Sequence, residues 1–125
     1  MRKTIKIRVM GKPRMTRADA WKKRKCVTDY RLWADELRLL VFGKNQKQEA
    51  PLYFSWVAYI AMPKSWSEKK KLAMIGEPHR QKPDLDNVTK GLFDALFEHD
   101  ERVASGNQHK IWALEDCISI EWGND

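Results

Sequence analysis

Residues 52–62 form a run that is rich in aromatic and β-branched side chains and contains no charged residue. Such a run favours a β-strand that is covered on both faces, because both alternating sets of side chains are largely apolar. Pro63 ends the run, since proline cannot donate a ladder hydrogen bond. The chain has 125 residues, which predicts one domain over residues 1–125 with one hydrophobic core. Other elements must therefore pack against this strand.

The rest of the chain alternates between a period of two and a helical period of hydrophobic residues. Ile5, Ile7 and Val9 alternate with charged residues and predict a first strand. A helix is predicted between a cap at Asp29 and a stop at Gly43. The remaining predicted elements are a short helix with a Ser65/Glu68 capping box, a helix beginning near Asp86, and strands over residues 108–114 and Cys117–Trp122. The order β-α-β-α-α-β-β predicts an α/β (α+β) fold, in which a small mixed β-sheet packs with helices.

Finer predictions concern individual positions in these elements. The helix near Asp86 is expected to bury a stripe of Val88, Leu92 and Ala95 or Leu96. A turn at residues 115–116 is expected to join the last two strands, although it lacks the glycine of a favoured hairpin turn. Cysteines and histidines lack metal-site spacing, so the cysteines are expected to be buried reduced thiols and the histidines surface residues: Cys26, Cys117, His79, His99 and His109.

The charge is distributed unevenly along the chain. Residues 1–50 hold 15 Lys and Arg against 5 Asp and Glu, whereas residues 51–125 hold 9 against 12. The basic half predicts a polyanionic partner, either nucleic acid or an anionic membrane. No membrane-anchoring amphipathic pattern, signal peptide or long apolar run accompanies it, so a soluble, cytoplasmic protein is expected.

A basic segment over residues 12–28 is predicted to be a loop that contacts nucleic-acid phosphates. Its candidate DNA-binding residues are Lys12, Arg14, Arg17, Lys22 and Lys23. Trp21 lies in the same segment. We expect its ring to anchor the loop, with stacking on a base as the alternative.

Residues 82–101 collect carboxylates in a chain that is otherwise basic. Hard divalent cations prefer carboxylate oxygens, and Mg²⁺ commonly takes one or two of them together with water and substrate phosphate. Asp84 and Asp86 are two residues apart, so in an extended segment they would share one face. Helix capping is the alternative role for these two residues, and the spacing alone leaves both roles open.

Lys90 follows Asp86 by four residues and therefore lies on the same helical face. It is either one half of a surface ion pair or an ammonium placed beside a scissile phosphate. Asp94 lies roughly 12 Å along the helix from Asp86, too far for the same metal, so it is expected to pair with Lys90. Asp100 and Glu101 oppose the helix macrodipole, and a third carboxylate would complete a site for one or two metals.

The stretch Lys82-Pro-Asp-Leu-Asp-Asn-Val-Thr-Lys-Gly-Leu-Phe-Asp-Ala-Leu resembles the signature of the RusA family of Holliday-junction resolvases, Pro-Asp-x-Asp-Asn-x-x-Lys-x-x-x-Asp-Ala-Leu. Flanking features also resemble the family and extend the likeness over nearly the whole chain. These are the stretches Pro13 to Arg17, Met62 to Ser65 and Asp100 to Val103, with Lys110 after them.

The resemblance implies a small homodimer that nicks four-way DNA junctions symmetrically with Mg²⁺, for which Mn²⁺ is a possible substitute. By position, the metal-binding aspartates would be Asp84, Asp86 and Asp100, the essential lysine Lys90, and a further DNA-binding residue Lys110. His99 stands at the first position of an Asp-Asp pair of the family, and Glu98 and Glu101 are further candidates for the role of Asp100. Small resolvases of this kind are often carried by phages or prophages.

Two other functions stay open at this point. One is a nuclease of the same chemistry that acts on other branched or flap DNA. The other is a non-catalytic nucleic-acid-binding protein whose aspartates cap a helix. A homodimer suits paired incisions, and an interface around Trp56 and Tyr59 is expected.

Overall fold

The computed structural model describes residues 1–125, and its elements follow the predicted order. The strands are β1 (Arg2–Ile5), β2 (Tyr53–Ala61), β3 (Gln108–Ala113) and β4 (Cys117–Gly123), and the helices are α1 (Lys25–Phe42), α2 (Glu68–Met74) and α3 (Leu85–Leu96). Short 3-10 turns at Arg17–Ala20 and Asp100–Arg102 were not predicted. The α+β class is confirmed as a small domain with a mixed sheet.

The strands form one four-stranded sheet in the order β1-β4-β2-β3. Strand β4 is antiparallel to both of its neighbours, whereas β3 runs parallel to β2. The predicted hairpin between the last two strands is wrong, because β2 lies between them. The turn after β3 instead carries the chain across the end of β2, where Asp116 Oδ1 accepts a 2.7 Å hydrogen bond from the Ala61 amide.

Helices α1 and α3 cover one face of this sheet. The predicted α3 stripe is confirmed, since Val88, Leu92, Ala95 and Leu96 are all buried. They belong to a core of 17 buried residues that also includes Trp33 and Leu37 of α1 and alternate residues of β2 and β4. Aromatic rings fill the contact between α3 and the sheet, with Phe54 packing edge-on against both Phe93 and Phe97.

The opposite face of the sheet carries no helix. Alternate β2 side chains at Tyr53, Ser55, Val57 and Tyr59 are half-buried on this face, whereas Phe54, Trp56 and Ala58 on the other are buried. The prediction that β2 is covered on both faces is therefore wrong for a single chain. Hereafter, "open face" means the uncovered sheet surface whose side chains include Arg2, Thr4, Ser55, Val57, Tyr59, Ser119 and Glu121 around a cleft of about 350 Å³.

The predicted helix starts need correction. Helix α1 begins five residues before Tyr30, with Arg24 rather than Asp29 at its N-cap. Ser67 caps α2 in place of Ser65, and its hydroxyl accepts a hydrogen bond from the Lys70 amide. In both cases the hydrophobic period is correct but the chain enters the helix at a different polar residue.

Several side chains also lie where the sequence did not place them. Cys26 is exposed and Cys117 half-buried, although both are free thiols. His79 is only 5% exposed and stacks on Trp112, with 4.3 Å between ring centroids. Burial, and then the charge of Lys110, lower the pKa of His79. No helix is both long and apolar enough to cross a bilayer.

Candidate active site

The N-terminus of α3 carries the first two candidate aspartates. Asp84, rather than Asp86, is the N-cap, with extended backbone angles of φ −65° and ψ 149°. Its carboxylate makes no capping hydrogen bond, and Asp86 makes no hydrogen bond either. Because neither carboxylate is used as a cap, the capping explanation does not account for the pair. Asp86 already lies in the helix, so the two residues are not in one extended segment as predicted.

Asp84 lines a polar cleft of about 540 Å³ between the N-terminal segment and α3. The other lining residues are Lys12, Pro13, Arg14, Met15, Asn87 and Lys90. Asp86 lies beside this cleft, because its Oδ2 is 3.8 Å from the Lys90 Nζ. The fold thus brings the predicted DNA-binding segment against the predicted metal-binding helix. These two segments are about seventy residues apart in the sequence, so only tertiary structure places them together.

Two glycines permit this close approach. The Lys12 amide donates a 3.3 Å hydrogen bond to the Asn87 carbonyl. A Cβ on Gly11 would lie 2.6 Å from the Asn87 Nδ2, and a Cβ on Gly91 would lie 3.2 Å from the Met10 carbonyl oxygen. Gly91 is therefore explained by packing, since an interior helical glycine otherwise costs about 1 kcal/mol relative to alanine.

The ion pairs around this cleft differ in part from those predicted. Lys90 pairs with Asp86 at 3.8 Å, with both side chains largely exposed, whereas Asp94 pairs with Lys12 at 3.3 Å. The predicted Asp94–Lys90 pair is wrong because segment 10–12 lies against α3 and supplies the nearer ammonium. A largely exposed pair such as Lys90–Asp86 contributes little to stability, so the Lys90 ammonium is free to contact a ligand.

Asp100 lies in the turn beyond the C-terminal end of α3, whereas Asp84 caps its N-terminal end. The twelve residues of α3 span roughly 18 Å. No group of three acidic, His or Cys side chains suited to a metal ion occurs in the chain. The expected convergence of Asp84, Asp86 and Asp100 is therefore absent within one chain. Glu98 and Glu101 are exposed near Asp100 and share its location.

The candidate DNA-binding cations fall into two groups. Arg14, Arg17, Lys22 and Lys23 are exposed, and their side chains make no ion pair or hydrogen bond within the chain. Lys12 faces Asp94, and Lys110 is held by hydrogen bonds within the chain. The Lys110 Nζ donates hydrogen bonds of 2.7 Å to the Gln81 carbonyl and 2.6 Å to the Pro83 carbonyl.

Sequence reasoning missed the residues that shape this site. Asn87 receives the N-terminal segment, Lys110 holds the residues before Asp84, and Asp19 is buried inside a basic loop, which we define as residues 12–24. A single acid among many cations was the available signal for Asp19. Trp21 in the same loop is 73% exposed, so the expected anchoring role is wrong and its ring is free to stack.

A cleft that places the unpaired carboxylate of Asp84 beside the unpaired cation of Arg14, with the exposed Lys90–Asp86 pair next to them, is suited to holding a phosphate together with a metal ion. The model of the endodeoxyribonuclease RusA family matches residues 5–121, nearly the whole chain. The chain belongs to this family and is an endodeoxyribonuclease of the type that resolves Holliday junctions. No curated protein and no solved structure shows significant similarity to the chain.

Proposed function

We propose that the protein is a Mg²⁺-dependent homodimeric nuclease that resolves four-way DNA junctions by symmetric paired nicking. The observation that carries this proposal is the cleft in which Asp84 and Lys90 face the free cation of Arg14. The family supplies the reaction class, and the cleft supplies carboxylates for a metal and cations for the flanking phosphates.

The donor set fits a hard divalent cation. Asp84 has no cation partner and no hydrogen bond, so its oxygens are available, and Asp86 is 75% exposed beside it. Two carboxylates are within the number that Mg²⁺ usually takes from protein. When bound, such an ion polarises the scissile phosphate and lowers the pKa of a coordinated water. The positive end of α3 favours the negative charge of both carboxylates and of substrate phosphate.

The remaining residues hold the substrate and offset charge. Lys90 lies on the first turns of α3, where its ammonium can approach the scissile phosphate as negative charge develops. Arg14 faces the same cleft, and Arg17, Lys22 and Lys23 extend the cationic surface along the basic loop. These four cations bind phosphates without reading sequence, as expected for an enzyme that selects a branched shape.

The test is cleavage of a synthetic four-way junction in a Mg²⁺ titration. We expect Asp84→Asn to abolish cleavage while junction binding is retained, because the substitution removes a ligand and also a charge that repels DNA. Asp94→Asn is the matched control, since Asp94 pairs with Lys12 and cannot reach the same ion. Wild-type cleavage by Asp84→Asn protein would refute the metal assignment, and cutting of flap DNA in preference to junctions would favour the alternative substrate.

The role of Asp100 requires a separate experiment, because this residue lies beyond the far end of α3 from Asp84. If Asp100→Asn protein is inactive, a mixture of Asp84→Asn and Asp100→Asn proteins shows whether the two residues act in one protomer. Recovery of cleavage in the mixture would place them in one site built by two chains. Full activity of Asp100→Asn would remove Asp100 from the catalytic set.

The open face is the surface that we assign to the homodimer. Trp56 cannot contribute, because it is 2% exposed and points into the core, where its Nε1 donates to Thr89. Tyr59 and Val57 lie on the open face, and Arg2 pairs with Glu121 at 3.0 Å on the same face. A face that carries both charges beside apolar residues can pair with a second copy of itself across a two-fold axis, and this composition supports the assignment.

Sedimentation at micromolar concentration tests this assembly. We expect a wild-type dimer, and a monomer for Tyr59→Glu, because the change places an unpaired charge in the interface. Leu72→Glu on exposed helix α2 is the control and should remain dimeric. Paired nicking should fail together with dimerisation, so that singly nicked junctions accumulate. A monomeric wild-type protein that still completes both cuts would contradict the proposal.

A further inference from the structure

The basic loop contains one carboxylate, which is buried, among six cations. Asp19 is 2% exposed, although it lies in a short 3-10 turn of a surface loop. Its Oδ2 accepts a 2.6 Å hydrogen bond from the Thr16 amide and a 2.7 Å bond from Arg24, and its Oδ1 accepts a 2.8 Å bond from the Arg24 Nε. The pair with Arg24 is thus bidentate, the geometry that fixes orientation most strongly.

These contacts brace the loop at several points. The Arg24 guanidinium also donates a 2.8 Å hydrogen bond to the carbonyl of Arg14, and Arg31 of α1 donates a 3.3 Å bond to the Asp19 carbonyl. Arg24 is the N-cap residue of α1. The Asp19–Arg24 pair, together with the Asp19 carbonyl, therefore joins the start of the loop, its central turn and the first turns of α1.

The bracing has a consequence for the cations that stay free. Because Arg24 forms the ion pair with the Asp19 carboxylate, Asp19 forms no ion pair with Arg14, Arg17, Lys22 or Lys23. Arg14 has its backbone carbonyl fixed by Arg24 while its side chain lines the cleft with Asp84. Arg24 lowers the pKa of Asp19 far below its usual range, so the carboxylate is ionised at any working pH.

We propose that Asp19 is a positioning residue for the DNA substrate, which holds the basic loop in the one conformation that presents Arg14 and the other free cations beside the N-terminus of α3. This inference rests on the proposed function, since it assigns the loop to junction binding. In this role an anionic residue strengthens the binding of a polyanion. An ordered loop loses less conformational freedom on binding than a mobile one, and that difference appears as affinity.

The direction in which one substitution changes DNA affinity distinguishes this positioning role from a simple effect of charge. Asp19→Asn raises the net charge by one, so electrostatics alone predicts tighter binding of DNA. The amide nitrogen of the new side chain would face donors at Thr16 or Arg24, so the bracing would fail and the loop would become mobile. We therefore expect weaker junction binding, by about tenfold, and a lower preference for a junction over linear duplex.

Asp29→Asn is the matched control. Asp29 lies ten residues later, pairs with Lys25 at 2.7 Å through a largely exposed lysine, and removal of its carboxylate changes the net charge equally. It should bind DNA as tightly as the wild type or more tightly. Arg24→Lys is the second variant, because it keeps the charge but loses the bidentate pair and the reach to Arg14. It should weaken binding in the same direction as Asp19→Asn.

Limited trypsin digestion provides a readout that needs no DNA. We expect cleavage within residues 14–23 to be about tenfold faster in Asp19→Asn than in wild-type or Asp29→Asn protein, as for any locally opened segment. Asp19→Asn protein with wild-type proteolysis, or with faster proteolysis but unchanged junction binding, would overturn the proposal. Failure of the wild type to bind junctions would instead refute the proposed function, while the digestion would still report whether Asp19 orders the loop.

Discussion

Lys110 offers the clearest separation between a DNA-contacting residue and an internal clamp. Its ammonium donates to the carbonyls of Gln81 and Pro83, and Asp84 is the next residue along the chain. The clamp therefore fixes the backbone that presents the first candidate metal ligand. Lys110→Met keeps most of the apolar length of the side chain and removes the charge and both hydrogen bonds.

The expected effects follow from these two bonds. Hydrogen bonds from a charged donor contribute about 1.5–3 kcal/mol each when buried, and the partial exposure of this group reduces their sum to about 1–3 kcal/mol. For a chain of 125 residues, each kcal/mol lowers the midpoint of thermal unfolding by roughly 3–5 °C. Removing a residue that holds a metal ligand in place commonly lowers metal affinity about tenfold or more. Half-maximal cleavage should therefore require about tenfold more Mg²⁺.

The assay is junction cleavage at several Mg²⁺ concentrations, paired with junction binding at several salt concentrations. If Lys110 is a clamp, Lys110→Met shifts the Mg²⁺ dependence and leaves the salt slope of binding unchanged. If it contacts DNA, the slope decreases by about one and the Mg²⁺ dependence stays. Lys82→Met is the control, because Lys82 is exposed and makes no contact through its ammonium. A lower salt slope with unchanged unfolding midpoint would refute the clamp.

Three further predictions address the site and the stability of the fold. Lys90→Ala should lower kcat by more than it weakens junction binding, measured by single-turnover kinetics, and an unchanged kcat would reduce Lys90 to the exposed partner of Asp86. Neutral replacement of Arg14, Arg17, Lys22 and Lys23 together should weaken DNA binding at every sequence and lower the salt slope by up to about four, and a wild-type slope would show that DNA follows another surface. Gly106→Ala should lower the free energy of unfolding, measured in urea, by about 3 kcal/mol or more, because the new Cβ would lie 1.8 Å from the Phe54 carbonyl oxygen and Gly106 has a φ of +154°. Gly76→Ala is the control. A Cβ at Gly76 meets no atom within 4 Å, so this change should cost only the strain of its positive φ, about 1 kcal/mol.

The sequence predicted what depends on local spacing. The buried stripe of α3 and the order of elements follow from hydrophobic periods, and Val88 and Leu92 are where that period places them. Helix starts were less predictable, because Asp29 and Ser65 are good caps that the chain passes over. Local propensity cannot decide between neighbouring caps when tertiary contacts determine where the chain turns.

Predictions failed where a residue's role depends on distant partners. Trp56 and Tyr59 look alike in the sequence, yet their parity along β2 sends one ring into the core and the other to the open face. Asp19 and Lys110 each resemble surface charges until the fold supplies Arg24 to one and two carbonyls to the other. Asp94 acquired Lys12 as its partner for the same reason.

The packing of segment 10–12 on α3 also bears on the order of events during synthesis. The N-terminal half, which carries most of the cations, leaves the ribosome before the aspartates have been translated. A nascent chain at that stage already carries the cations that attract nucleic acid but lacks Asp84 and Asp86, the two carboxylates that we propose as metal ligands. The cleft exists only after Gly11 has docked against Asn87, which is the meeting of two distant segments. Cleavage should therefore be among the last properties that the polypeptide acquires as it folds, so that an incompletely folded molecule binds DNA without cutting it.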